Sequence, residues 1–266
     1  MALIENESAG IVYMTAPNIQ TSHMFTTRLG GVSKGEFESL NLGLKLGDDR
    51  DSVLKNYTLI CDILGISPED IVFSSQIHSA RIRLVTRSDR GSVHEASAHA
   101  ADGLITCDAG VALMVFTADC VPILLHDPVR GAIGAIHSGW RGTALDIAGE
   151  AVIKMSGEFG CSPADINAAI GPCISKCCYE VGSDVKDALY SKLGTVAKGC
   201  IAARGEKYMV DLKEANKILL TRAGIRNITI SDECTSCRSD KYWSYRRTNG
   251  KRGSQAAIVA IRPQTT

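Results

Sequence analysis

Residues 117–142, TADCVPILLHDPVRGAIGAIHSGWRG, carry a thiol near one end and an imidazole near the other of a predicted β-hairpin. VPILLH and GAIGAIH are short and apolar, and DPVR between them is a turn signal. Pairing His126 with Gly131 across that turn sets Cys120 directly opposite His137, with Cβ atoms about 5 Å apart on one face. A thiolate and an imidazole so placed can share one metal ion or one proton. His78, in SQIHSA, follows a predicted strand at 71–75 and so lies at a strand end. Two histidines and one cysteine form a borderline-soft donor set that suits Zn²⁺, and three protein ligands with an open fourth position is the catalytic form. That position would hold a water whose pKa is lowered to about 7. The other reading of His78 is a histidine hydrogen-bonded at a strand end, and spacing alone does not decide between them.

Neighbouring residues extend the set. Asp119 precedes Cys120 and points to the other face if the strand starts there; it would either orient a ligand histidine or satisfy backbone amides. GWRG at 139–142 leads into a predicted helix, so helix amides and the Arg141 guanidinium would make either an anion site or a braced turn. CTSC at 234–237 is a CxxC, with Cys173, Cys177 and Cys178 upstream. A tetrathiolate zinc from Cys173, Cys177, Cys234 and Cys237 would want two short knuckles, and CISKC is a loose one. Cys234 and Cys237 are therefore expected to be neither zinc ligands nor disulfide partners.

The elements that must carry these residues follow from periodicity. Val53, Tyr57, Ile60 and Leu64 mark a helix over 51–64, with Gly65 as its stop. VALMVFT at 111–117 reads as a buried strand leading into the hairpin. Helices are predicted over 143–159 with Thr143 as N-cap, over 183–193, and over 211–223. Strands are predicted at 71–75, 82–85, 227–231 and 256–262, while the Gly-, Ser- and Asn-rich 26–49 reads as ordered loop. Consecutive strands without intervening helices argue against a doubly wound parallel sheet. They favour an α+β fold with a mixed or antiparallel sheet system flanked by helices.

Composition narrows the function classes. Lys+Arg and Asp+Glu both number 29, so no charged surface for nucleic acid or for a polybasic membrane anchor is expected. No apolar run approaches the ~18 residues of a membrane span. The N-terminus MALIENESAG lacks the basic and apolar regions of a secretory signal, so the expected location is cytoplasmic. The ten cysteines are then expected to be reduced thiols.

QIHS, ADGLIT, TADCVPILL, HSGWRG, GPCIS…CYEVG and WSYRR…QAA resemble, in order, the YfiH/laccase-domain proteins, and TTRLGGVS…SLNLGLKLGDD extends the likeness toward the start. The resemblance implies one domain over 1–266, with two packed mixed β-sheets between outer helices. That is a four-layer arrangement shared with some toxin deamidases. It implies a zinc-dependent enzyme of purine nucleosides that phosphorolyses adenosine, inosine, guanosine and methylthioadenosine and deaminates adenosine. A peptidoglycan-editing role is attached to some bacterial members, and older labels call the family polyphenol oxidases. The family's two-His, one-Cys zinc set carries over onto His78, Cys120 and His137. Ser138 stands where Ala is frequent and Trp243 where Phe is frequent, and neither touches a ligand position.

Under this reading the small-molecule partners are purine nucleosides and phosphate, in a monomer or weak homodimer. Arg28, Arg141 and Arg246 are the candidates for holding phosphate, and Asp119 is the candidate proton shuttle. Three other readings compete. A copper phenol oxidase would need many histidines in recurring His-x-His pairs, and the chain has six histidines and no such pair. A metal-free hydrolase would use Cys120 as nucleophile and His137 as base. A partner-binding protein would turn over nothing.

Overall fold

The structure is a computed structural model, and residues 2–94 and 99–262 are described here. Two six-stranded sheets stack on each other. In the first, Ile4–Ser8, Ile11–Thr15, Ser22–Thr26, Gln255–Ile261 and Val111–Thr117 pair antiparallel, and Ile71–Val72 adds in parallel at the edge. In the second, the hairpin Val121–Asp127 and Ala132–Ser138 is central. Asn167–Ile170 and Gly103–Thr106 flank it antiparallel, and parallel edge strands Asn227–Ile230 and Ile82–Leu84 close the order.

Period-two alternation with both faces apolar explains the layering. Along Val111–Thr117, Leu113 and Val115 face the second sheet, where Leu124, Ile133 and Ala135 meet them. Ala112 and Met114 face outward onto Val53, Tyr57 and Ile60 of helix Arg50–Leu64. The second sheet repeats this with Val121, Ile123 and Leu125, which pack on helices Ile147–Phe159, Ser183–Leu193 and Leu212–Arg222. The result is the four-layer α+β arrangement of two mixed sheets between helices that the motifs implied.

The hairpin register differs from the sequence expectation by two residues. Asp127 stays in the ladder opposite Ala132, His126 pairs with Ile133, and Pro122, not Cys120, lies opposite His137. The cause is local. The Asp127 carboxylate accepts from the amides of Val129 and Arg130 at 2.8 and 3.0 Å, which moves the turn to 128–131. Gly131, at φ +63°, supplies the left-handed position that turn needs. A slip of two preserves side-chain parity, so Cys120 remains on the same side as His137, displaced diagonally.

The helix predicted over 143–159 is two helices. Trp140–Ala144 is capped by Gly139, and the Thr143 hydroxyl donates back to the Gly139 carbonyl at 3.0 Å rather than capping. Asp146, at φ +63°, breaks the chain direction and caps Ile147–Phe159 through the Gly149 amide. The strand expected at 71–75 is only Ile71–Val72, so His78 stands in a loop several residues beyond it. Ile4–Ser8, a polar edge strand, and Ile201–Arg204 with Lys207–Val210, in a small third sheet, carry no apolar alternation and went unforeseen.

Candidate metal centre and its cavity

Cys120 ends a bend at the head of the central hairpin. Asp119 just before it adopts φ +101°, a conformation a non-glycine side chain reaches only when its surroundings hold it. Here the Asp119 carboxylate accepts from the Thr235 hydroxyl and from the Arg246 amide, both at 2.7 Å, and its carbonyl accepts from the Ile174 amide at 3.0 Å. Three distant segments thus clamp the residue that aims Cys120.

His137, on the partner strand, is buried. The His78 ring stands edge-on to it, with centroids 4.9 Å apart at 81°, and the His78 Nε2 lies 3.9 Å from the Cys120 sulfur. One donor atom from each of His78, Cys120 and His137 falls within 4.8 Å of the others. Gly139 is necessary beside them. A Cβ there would come within 2.9 Å of the His78 ring and 3.2 Å of the Cys120 sulfur.

Asp102 organises both histidines. Its Oδ1 accepts from the His137 Nδ1 at 2.9 Å, which leaves Nε2 of that ring toward Cys120. The same carboxylate accepts from the amides of Ile77, His78 and Ser79 at 3.2, 2.9 and 2.7 Å. This nest holds the His78 backbone at φ +59°. Burial alone would push the Asp102 carboxyl up, but the His137 ring and the Ser79 amide and hydroxyl outweigh it and hold it well below the carboxylate range. Burial likewise opposes the charged forms of Cys120 and His137. The two groups outweigh it mutually: the imidazole beside it brings the Cys120 thiol down to about 6, and the thiolate with Asp102 raises His137 to about 9. Asp102 lies in the ADGLIT motif, yet nothing in its spacing assigned it a role; only the strand Gly103–Thr106 pairing with Ala132–Ser138 brings it under His137.

The trio opens on a cavity of about 840 Å³. Phe73, Phe116, Trp140 and Tyr179 contribute aromatic faces, and Arg50, Arg246 and Arg252 contribute cations. This volume lies in the range of small-molecule sites.

Residues 22–262 match the family described as multicopper polyphenol oxidoreductase laccase. The chain belongs to this YfiH/laccase-domain family. It is 42% identical over 247 residues to the purine nucleoside phosphorylase YlmD of Geobacillus stearothermophilus, covering 91% of this chain and 90% of that protein. The crystal structure of YlmD from the same organism superposes with a TM-score of 0.92 at 40% identity, covering 97% of this chain and 98% of that one. A Bacillus licheniformis hypothetical protein YfiH superposes with a TM-score of 0.90 at 37% identity, covering 96% and 98%.

On this YfiH-type scaffold the three candidate arginines go to different places. Arg246 lines the cavity; its guanidinium lies 5.2 Å from the Tyr179 ring centroid and donates to the Cys178 and Glu180 carbonyls. Arg141 is exposed and stacks on Trp140 at 4.3 Å, and it is not among the cavity-lining residues. Arg28 packs on Trp243 at 3.8 Å and donates to the Ser239 carbonyl, also away from the cavity wall. Arg252 was not singled out by the sequence, where it is one cation in a basic loop. It lines the cavity and is largely buried. Its Nη1 donates to Gly253 and Ser254, while its Nε has no partner. Asp119 also reaches the wall, but both its oxygens are engaged. Among the described residues no helix is long and apolar enough to cross a membrane.

Proposed function

We propose that this chain is a zinc-dependent purine nucleoside phosphorylase that also deaminates adenosine at the same site. The observation that carries the reading is the cavity. Aromatic faces for a purine and guanidinium groups for an anion share one wall with a two-His, one-Cys donor set, in a chain related to proteins named purine nucleoside phosphorylase. His78, Cys120 and His137 would hold the metal. The set fits Zn²⁺ in type and spacing, and the Asp102 bond to the His137 Nδ1 is the outer support such ligands use. When bound, zinc supplies a Lewis acid and lowers the pKa of water at its open position.

The remaining work falls to the chain. In phosphorolysis an oxygen of phosphate bonds to C1′ while the bond from C1′ to the base nitrogen breaks and positive charge grows on the ribose. Arg246 and Arg252 are the candidates for holding the phosphate in line, since their guanidinium groups are fixed before substrate arrives. Arg28 and Arg141 then act from outside the cavity, by bracing Trp243 and Trp140. Asp119, with both oxygens occupied, serves as a positioning residue for Cys120 rather than as a proton shuttle. Adenosine, inosine, guanosine and methylthioadenosine are the proposed substrates.

Assaying those nucleosides with and without phosphate, and following free base, ribose 1-phosphate and inosine, tests the reading. Phosphate-dependent release of base supports phosphorolysis, and phosphate-independent inosine supports deamination. A zinc-loaded protein that releases neither refutes both.

A second reading has its own observation. Cys120, His137 and Asp102 stand in the order nucleophile, base and orienting carboxylate. A metal-free Cys–His hydrolase acting on a cell-wall amide would use that order. His78, whose Nε2 also faces the Cys120 sulfur, weighs for a metal. Protein purified without chelator that carries no zinc and is alkylated at Cys120 would favour the hydrolase.

A further inference from the structure

A second group of donors lies outside the cavity. Cys177, Cys178, Cys234 and Cys237 bring their sulfurs within 4.8 Å of one another. The contacts are 3.7 Å for Cys177–Cys178, 3.6 Å for Cys177–Cys237 and 3.4 Å for Cys178–Cys237. A tetrahedral zinc with Zn–S bonds of about 2.3 Å sets its sulfurs about 3.8 Å apart. The free thiols already stand near that spacing. Disulfide-bonded sulfurs would be about 2.05 Å apart.

The backbone explains how adjacent and distant cysteines converge. Residues 176–178 form a tight turn in which the Cys178 and Tyr179 amides both donate to the Ser175 carbonyl, at 3.0 and 3.1 Å. This bends the chain so that both neighbouring thiols face one way. The 234–237 segment lies alongside: Cys173 and Cys234 form a parallel bridge, and the Thr235 amide donates to the Cys173 carbonyl at 3.1 Å. The Ser175 amide donates to the Cys234 sulfur at 3.3 Å, and the Cys237 amide also points at that sulfur. Amides directed at cysteine sulfur stabilise a thiolate, the form that binds metal. The sequence weighed Cys173 as the fourth ligand and led to the expectation that Cys234 and Cys237 bind no zinc; Cys173 is in fact buried in the core with its sulfur on the Ile174 carbonyl. Cys178 takes its place, so the missing second knuckle is an adjacent pair in a turn rather than a spaced one.

We infer that Cys177, Cys178, Cys234 and Cys237 form a closed tetrathiolate site for a structural zinc ion, separate from the His78–Cys120–His137 centre. All four positions are protein ligands, so the site leaves no place for substrate. Its effect is on the cavity wall. The 177–180 segment carries Tyr179 and the carbonyls that hold Arg246, and the 234–237 turn carries Thr235, which anchors Asp119. A metal there ties these two segments together.

The test is metal content of the full-length chain, purified under reductant without chelator. Wild type should carry about two zinc ions per chain, Cys120→Ala about one, and Cys237→Ser about one. Cys237→Ser should also melt at a lower temperature. Native alkylation provides a check that does not rely on a variant folding. With the exposed Cys107 as the reactive control, Cys177 and Cys237 should be protected until a strong chelator is added, although both are exposed. Alkylation of Cys177 and Cys237 as fast as Cys107 overturns the site. So does zinc content in wild type that disappears wholly in Cys120→Ala and is unchanged in Cys237→Ser. An intact mass showing a disulfide among the four in freshly reduced protein overturns it as well. None of these readouts depends on nucleoside turnover, so the inference stands or falls apart from the proposed activity.

Discussion

The Asp102 carboxylate and the His137 imidazole lie 2.9 Å apart, and the same carboxylate receives three consecutive amides of the loop bearing His78. One buried anion therefore sets the tautomer of one candidate ligand and the backbone of another. Asp102→Asn removes the charge, and its amide nitrogen cannot accept from those backbone donors. Zinc affinity at the His78–Cys120–His137 centre should fall about 10- to 100-fold, as for other loss of outer support. Competition against a fluorescent chelator measures it. Unchanged affinity would mean that the loop and ring are held without Asp102.

Gly139 offers a cleaner steric probe. Its φ of −73° is open to alanine, so the backbone need not change. The added Cβ would nevertheless press on the His78 ring at 2.9 Å and on the Cys120 sulfur at 3.2 Å. Gly139→Ala should lose zinc at this centre and lose activity with it, while far-ultraviolet circular dichroism stays that of wild type. Full zinc in the variant would show that the three donors have room to shift.

The arginines separate by position. Arg252→Lys keeps a charge but loses the planar guanidinium, whose Nη1 bonds Gly253 and Ser254 and whose Nε has no partner. Loss of a charged hydrogen bond to phosphate costs about 1.5–3 kcal/mol, roughly a 10- to 100-fold drop in kcat/KM for phosphorolysis. Zinc content should not change. Arg141→Lys, by contrast, should leave phosphorolysis within a few-fold of wild type, because Arg141 stacks on Trp140 from outside the cavity. A larger loss from Arg141→Lys than from Arg252→Lys would return the phosphate to the position first suggested by sequence.

Two histidines away from the site make stability depend on pH. His23 Nε2 accepts the Ala16 amide at 2.8 Å, and His126 Nδ1 accepts the Gln20 amide at 3.2 Å. Both acceptors require a neutral ring. Burial lowers both pKa values; Asp127 opposes this for His126, and the nearby His23 adds to it. The contribution is therefore complete above about pH 6.5, the unfolded value. As pH falls below it, the unfolded chain takes up protons that the folded chain refuses, and stability drops until the folded values are passed. Replacing His126 with Asn and His23 with Gln keeps an acceptor in each place without the titration. Urea unfolding between about pH 5 and 8 should then show a flatter dependence below 6.5 than in wild type. An identical slope would locate the effect elsewhere.

The chain's own pattern was enough for a mixed sheet system flanked by helices and for setting Cys120 and His137 on one face, while the two packed sheets and the place of His78 in the trio came from the family resemblance. Alternating apolar residues with both faces buried, as in 111–117, can be satisfied only between two packed layers, and Cys120 and His137 are tied to one face by parity alone. The helix Arg50–Leu64 was equally plain over 51–64, because Gly65 and the apolar spacing are local signals, and the structure adds its Asp49 cap. The register of the hairpin was not. It depended on whether Asp127 turned or stayed in the ladder, a choice made by two amides that its carboxylate captures. The break at Asp146 was hidden for the same reason, since a left-handed aspartate has no periodic signature. What only the tertiary structure decided is which polar groups meet across long chain distances. Asp102 comes under His137, Arg252 into the cavity and Cys178 onto Cys237 through strand pairings and turns far from each residue. Hydrophobic periodicity records which face of an element is buried, but it holds no information about which distant side chain lies opposite a buried charge or thiol. That is fixed by register, turn geometry and hydrogen-bond satisfaction in the folded chain.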